Sequence, residues 1–121
     1  PFQPAIATGL RLPDAFFTDI ATTLAAKRDL LGAGLRQAGF AVSTPGGSYF
    51  TVADVSSLGV TDAHEFCREL PERAGVVGIP VTAFVTAEHR AHYATLVRFA
   101  ACKRVEVIEE AVSRLSTLVT R

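Results

Sequence analysis

The sequence predicts an α+β fold: a small antiparallel or mixed sheet of about three strands, with helices packed on one face, preceded by a long helix. Helical spacings and short runs of aromatic and β-branched residues follow one another in the order long helix, strand, helix, strand, strand, helix. The chain has 121 residues, enough for one hydrophobic core and too few for two. No repeat or linker divides it, so a single domain over residues 1–121 is expected.

The first predicted elements are helices. Residues 3–11 predict a short helix, and beyond Pro13 the pattern is helical over residues 15–38. Gly32 and Gly34 within the long helix indicate either close approach of another segment or a weak last turn. Apolar residues recur at spacings of three and four, which places them on one stripe: Phe17, Ile20, Leu24, Leu31 and Leu35.

Strands and a second helix follow. Residues 40–42 predict a short strand, and a glycine-containing turn leads into a stronger strand over residues 48–55. Asp62 and Glu65 have the spacing of a capping box, so a helix is expected from there to Gly75. The residues expected on its inner face are Phe66, Cys67, Leu70 and Ala74.

The last third of the chain predicts strands over residues 76–80 and 95–102, with a polar loop or single helical turn at 87–92 between them. An amphipathic helix over residues 104–119 closes the chain. The residues expected on its inward face are Val105, Ile108, Val112, Leu115 and Val119.

The composition argues against several classes of partner. Twelve basic and 12 acidic residues are interspersed, which gives no basic surface for nucleic acid and none for a membrane. The two cysteines, Cys67 and Cys102, both lie in apolar sequence surroundings and are interpreted as reduced thiols of a cytoplasmic protein. The chain begins "PFQPA" and contains no Met, so we expect a piece of a longer protein.

Arg98 lies in the middle of the apolar strand "LVRFAACKR". Burying an unpaired charge is costly, so its guanidinium needs a partner. Three interpretations follow. The side chain recognises an anion, since a guanidinium pairs bidentately with a carboxylate; it forms a structural ion pair with an acidic residue; or it lies on the exposed face of the sheet.

The other reactive side chains favour structural roles. His89 and His92 have a spacing that fits one side of a helical turn, but a zinc site needs three or four ligands, so no metal site is predicted. Cys67 follows His64 by three residues, yet it belongs to an apolar helix face, as core cysteines do. Cys102 is interpreted in the same way.

Five motifs occur in one order along the chain: "PFQPAIATGL", "AAKRDLLGAGLRQAGFAV", "PGGSYFTVAD", "EFCRELPERAGVVGIPVTAF" and "LVRFAACKRVEVIEEAVSRL". Together they resemble the C-terminal part of a class I/II aminotransferase, from the large pyridoxal-phosphate family of fold type I. The resemblance covers essentially the whole chain, and the last two motifs resemble more narrowly the bacterial branch of N-succinyldiaminopimelate aminotransferases. It implies amino-group transfer between an amino acid and a 2-oxo acid, with N-succinyldiaminopimelate and glutamate as the implied pair in lysine biosynthesis.

The resemblance also implies site residues. In this family the arginine of the "VRF(A/T)" strand binds the α-carboxylate of the substrate, and Arg98 occupies that place. Ser48 and Tyr49, in "GGSYF", resemble the segment that enters the substrate side of the small domain, where the family often has "GGYF" or "GTYF". The segment "IPVTAF", residues 79–84, resembles the loop near the pocket mouth.

The resemblance further implies which parts of the enzyme lie elsewhere. The Schiff-base lysine and most cofactor ligands precede these motifs in the family, so no catalytic or cofactor-binding residue is expected in this chain. Neither Lys27 nor Lys103 lies in a turn that would present an amine to a cofactor. Pyridoxal phosphate is expected only in the full-length enzyme, a homodimer in which this small domain closes against the large one. The chain alone is expected to be inactive.

Two alternatives remain. The first is another activity of the same family, either a C–S β-lyase or a transaminase of another substrate. Only substrate profiling of the full-length enzyme would distinguish these activities from the one proposed above. The second alternative is a stand-alone α+β module that binds a carboxylate. A naturally short gene that starts just before Pro1 would favour this alternative.

Overall fold

A computed structural model, which describes residues 1–118, combines four α-helices with one four-stranded antiparallel sheet. The α+β class is therefore confirmed. The helices are α1 (Gln3–Gly9), α2 (Asp14–Gln37), α3 (Ala63–Ala74) and α4 (Val105–Ser116). The strands are β1 (Ala41–Val42), β2 (Phe50–Asp54), β3 (Ile79–Pro80) and β4 (Leu96–Ala100). Short 3-10 turns over Ser56–Leu58, Val81–Phe84 and Ala87–Tyr93 connect them.

The sheet is centred on β2 and β4, in the order β1-β2-β4-β3. The β2–β4 register places Val52 opposite Arg98, and β3 adds Ile79 on the other side of Arg98. The short strand expected over residues 40–42 is present as β1, which brings the sheet to four strands and pairs with β2 through Ala41 and Asp54. Arg98 consequently has a backbone neighbour on both sides, which fixes its position in the sheet.

The two faces of the sheet differ in burial. Alternate residues of β2 and β4 are fully buried beneath the helices: Thr51, Ala53, Val97 and Phe99. The intervening residues, which include Phe50, Val52 and Arg98, are half-buried on the opposite face. Because successive side chains of a strand point to opposite faces, the helices cover one face only, as predicted, and Arg98 belongs to the open face.

The helices pack closely at one point between α2 and α4. A Cβ at Gly34 would overlap the side chain of Val112, so the absence of a side chain there permits the approach. The apolar stripe of α2 is buried at Leu31 and Leu35 but exposed at Phe17 and Ile20. The first half of this 24-residue helix therefore projects beyond the core that its second half helps to form.

Several boundaries differ from expectation. The strand predicted from residue 48 begins at Phe50, because Ser48 has φ 67° and interrupts the extended backbone. The strand predicted over 76–80 keeps only Ile79–Pro80, since Gly78 packs against the side chains of Val97 and Phe99 instead of pairing in the ladder.

The caps of α3 follow the prediction, whereas the inward face of α4 follows it in part. The Asp62 carboxylate accepts hydrogen bonds from the backbone N–H groups of His64 and Glu65 at 2.8 and 3.3 Å, and Gly75 ends α3 with φ 64°. Val105 begins α4 and is exposed, which corrects its placement inward, while Ile108 and Leu115 are buried as predicted. Val119 lies outside the described residues. No helix within residues 1–118 is long and apolar enough to cross a bilayer.

The Gly34 contact yields a stability prediction. Gly34→Ala is expected to lower the free energy of unfolding by about 1–3 kcal/mol, because the added methyl forces α2 away from α4. Gly32→Ala is the matched control on the same helix, since a Cβ there makes only ordinary contacts at 3.5 and 4.0 Å. It should raise the free energy of unfolding by up to about 1 kcal/mol, through helix propensity. Urea unfolding followed by circular dichroism measures both, and equal effects would contradict the close packing.

Candidate functional site

The guanidinium of Arg98 lies between two phenylalanine rings. Its Cζ is 4.0 Å from the ring centroid of Phe50 and 4.1 Å from that of Phe84. Both rings therefore lie within cation–π distance of the same guanidinium. A cation over an aromatic face is attracted by the ring quadrupole, by about 0.5–1 kcal/mol at an exposed site.

Arg98 has no ionic or hydrogen-bonding partner among residues 1–118. Asp54, on the same face of β2, is engaged elsewhere, because its Oδ1 accepts a hydrogen bond from the backbone N–H of Ser56 at 2.8 Å. Burial favours a higher pKa for Asp54, but hydrogen bonds from Ser56 and Thr95 outweigh it and lower that pKa. The structural ion pair considered from the sequence is therefore not found in this part of the chain.

The N–H groups of the guanidinium are left for an external partner. Guanidinium donors lie in the plane of the group, and an arginine that stacks on aromatic rings turns its faces toward them. A planar anion can approach along the edge and accept two parallel hydrogen bonds, and this bidentate arrangement is the one that suits a carboxylate.

A groove of about 790 Å³ adjoins Arg98. Its wall is mainly apolar and is built from the segment that precedes β3 and from α4, with lining residues that include Val76, Val77, Ile79, Val107 and Ala111. Charged side chains on α4 are partly neutralised within it, since Arg114 Nε donates to Glu110 Oε1 at 2.7 Å. A ligand bound to Arg98 would thus have apolar surface beside it.

Ser48 and Tyr49 differ in how they relate to Arg98. The Tyr49 ring lies 4.5 Å from that of Phe50, so it supports one of the rings that flank Arg98. Its carbonyl accepts a hydrogen bond from the Ala101 N–H at 2.8 Å, which ties this segment to the end of β4. Ser48 is exposed. Within the described residues, neither Ser48 nor Tyr49 lines the groove.

Sequence reasoning did not assign the two rings. Phe50 follows Tyr49 in the quoted motif, and Phe84 ends the segment "IPVTAF", but neither was connected with Arg98. Their meeting depends on the cross-strand register and on the 3-10 turn over Val81–Phe84. Phe84 is 55% exposed, as are several other large apolar residues of this chain to a similar or greater degree, so its exposure alone did not identify it.

The two cysteines differ in environment. Cys67 is buried on the inner face of α3, as predicted, and burial raises its pKa to about 11. The thiol therefore stays protonated at neutral pH and is a poor nucleophile. Cys102 is exposed, which corrects its interpretation as a core residue: it lies after the end of β4 at Ala100, in the connection to α4.

The histidines and lysines are all exposed or half-buried in the described part of the chain. His89 Nδ1 lies 2.9 Å from the Thr86 hydroxyl on the surface, and no group of three or more potential metal ligands occurs within residues 1–118. An imine-forming lysine is activated when it is desolvated. Lys103 is exposed and lines the groove, whereas Lys27 lies on α2 outside it.

Comparisons with known proteins agree on one family. The family model described as aminotransferase class I and II matches residues 1–115. A probable N-succinyldiaminopimelate aminotransferase from Mycobacterium tuberculosis is 43% identical over 100% of this chain and 32% of its own length. Kynurenine–oxoglutarate transaminase 3 from Rattus norvegicus is 31% identical over 92% of this chain and 28% of its own length. The chain thus spans about a third of the length of these curated relatives.

A solved structure shares the fold. The N-succinyldiaminopimelate aminotransferase from Mycobacterium tuberculosis superposes with a TM-score of 0.89 at 46% identity. The match covers 98% of this chain and 30% of the other. The arrangement of helices and sheet described above is therefore also found within a much longer protein.

The cysteine environments yield a labelling prediction. In the native protein at pH 8, iodoacetamide should modify Cys102 rapidly and Cys67 only after unfolding, because burial keeps the Cys67 thiol protonated and inaccessible. Mass spectrometry of the labelled peptides distinguishes the two. Cys102→Ser should abolish the rapid phase, whereas fast labelling of Cys67 in that variant would contradict its burial.

Proposed function

Because the chain belongs to the aminotransferase class I and II family, we propose that it is the C-terminal, substrate-binding part of a pyridoxal-phosphate-dependent aminotransferase. The enzyme transfers an amino group between an amino acid and a 2-oxo acid. The proposed pair is N-succinyldiaminopimelate and glutamate, in lysine biosynthesis. Its support is the 43% identity, over the whole chain, to a probable N-succinyldiaminopimelate aminotransferase.

Arg98 binds the α-carboxylate of the substrate in this proposal. The observation that carries it is a guanidinium flanked by Phe50 and Phe84, with no partner of its own among residues 1–118. The central strand β4 limits movement of the Arg98 backbone, and the rings leave the edge of the guanidinium for two parallel hydrogen bonds. A carboxylate bound in this way has a defined orientation, which is what positioning of a reacting substrate requires.

Tyr49 and Ser48 are proposed to contribute to the substrate side of the domain indirectly. Tyr49 contributes by packing its ring against Phe50, 4.5 Å between centroids, and so acts through that ring. Ser48 belongs to the turn that delivers Tyr49 and Phe50, and its φ of 67° is a conformation that residues other than glycine rarely adopt. We place both at the substrate side of the domain.

The remaining parts of the enzyme are proposed to lie in the rest of a longer protein. A large domain would hold pyridoxal phosphate, which supplies the electron sink for transamination when bound. The intact enzyme is a cytoplasmic homodimer in this proposal, and the present chain is its small domain, inactive alone. The share of the relatives that this chain spans, 32% and 28%, is consistent with such a division.

A second candidate is transamination of another amino acid by the same site. The 31% identity to a kynurenine–oxoglutarate transaminase favours it. An α-carboxylate is common to all amino-acid substrates, so Arg98 does not discriminate between the two candidates. Specific activity of the full-length enzyme with N-succinyldiaminopimelate and with kynurenine, each with 2-oxoglutarate, would separate them.

The role of Arg98 yields a kinetic prediction for the full-length protein that contains this chain. Arg98→Gln should lower kcat/KM by roughly 30- to 1000-fold for both the amino acid and the 2-oxo acid, because a charged, bidentate partner is lost. Arg98→Lys keeps the charge but not the planar fork, so it should recover only part of the loss.

The control is Arg68→Gln on the exposed side of α3, where the guanidinium pairs with Glu65 at 3.0 Å. Surface pairs of this kind contribute little, so kcat/KM should stay at the wild-type value. Steady-state kinetics with both substrates provides the measurement. An Arg98→Gln enzyme with wild-type kcat/KM would refute the assignment of the carboxylate site.

A further inference from the structure

We propose that Phe84 is a positioning residue: its ring, opposite that of Phe50, holds the Arg98 guanidinium in the orientation in which a carboxylate meets its edge. The inference rests on the proposed function and extends it to a residue that does not itself need to touch the substrate. It starts from the observation that, within residues 1–118, the charged end of Arg98 lies over two aromatic rings and has no hydrogen bond or ion pair.

An arginine side chain on an open sheet face has considerable freedom. It loses rotamer entropy when it is fixed, and ion pairs or hydrogen bonds often set its orientation. Arg98 has neither in the described part of the chain. The ring contacts at 4.0 and 4.1 Å are therefore the interactions that restrict the guanidinium before a ligand arrives.

The two rings are held in different ways. Phe50 begins β2, lies opposite Ala100 in the register and is therefore diagonal to Arg98 across the central strand pair. Phe84 ends the 3-10 turn that follows β3, and its ring is 55% exposed. Phe84 does not belong to the buried core cluster, whereas its ring lies 4.1 Å from the Arg98 guanidinium carbon.

Placing a ring on each side of the guanidinium has a consequence for binding. The faces are covered, and the donors along the edge remain open, so the bound geometry is already present in the free protein. Pre-organisation of this kind improves affinity by reducing the ordering that binding requires. Removal of the Phe84 ring should therefore weaken binding of a carboxylate while the later chemical step proceeds at its usual rate.

The test uses the full-length protein with Phe84→Leu and Phe84→Tyr. Phe84→Leu should raise KM for 2-oxoglutarate and for the amino donor by roughly 3- to 10-fold, with kcat within twofold of wild type. Phe84→Tyr retains an aromatic face and should restore the wild-type KM. Calorimetric titration with succinate, a carboxylate that does not react, should show the same ratio in the dissociation constants.

A double-mutant cycle separates positioning from direct contact with the substrate. In an Arg98→Lys background, Phe84→Leu should have little further effect on KM or on succinate binding, because the guanidinium that it orients is absent. An equal effect in both backgrounds would overturn the inference, since the ring would then act on the substrate independently of Arg98. A wild-type KM in Phe84→Leu, or a loss confined to kcat, would overturn it as well.

The same experiment distinguishes failure of the inference from failure of the proposed function. If Arg98→Lys raises KM strongly while Phe84→Leu does not, Arg98 binds the carboxylate and Phe84 has no positioning role. If Arg98→Lys leaves KM and succinate affinity unchanged, the carboxylate site itself is misassigned, and the inference about Phe84 is overturned with it.

Discussion

The constraint on which the site depends is the pairing of β2 with β4. This pairing places Arg98 opposite Val52 at the centre of the sheet and brings Phe50 diagonally beside it. The helices α2, α3 and α4 cover the other face, so the guanidinium emerges on the face opposite to them. A cation that the sheet positions, that two rings flank and that has no charged partner in residues 1–118 is suited to receive an anion.

The helical layer stabilises this arrangement by packing on the opposite face of the sheet. Val97 and Phe99, the neighbours of Arg98 in β4, are buried beneath the helices and so anchor the strand from its other face. Close approach of α2 and α4 at Gly34 completes the core that these residues enter. Changes in the core therefore reach the site through β4, whereas changes at Phe84 act on the guanidinium directly.

Local signals allowed the prediction of much of the fold. Asp62 predicted the start of α3, because a carboxylate at that position caps the first turn of a helix. The apolar spacing of Ile108 and Leu115 predicted the inward side of α4. Arg98 was notable as a charge within an apolar strand. The ring of Phe84 was not assigned, because its contact with Arg98 depends on a 3-10 turn and on strand register, which neither periodicity nor composition specifies.

The central claim is that Arg98 receives a carboxylate between the two rings. A crystal structure of the full-length protein with bound 2-oxoglutarate tests it most directly. The account predicts that one carboxylate lies in the plane of the Arg98 guanidinium, with both oxygens at about 2.7–2.9 Å from its nitrogens and the rings of Phe50 and Phe84 on either side. A carboxylate held by other residues, with Arg98 paired to an acidic side chain of the protein, would contradict it.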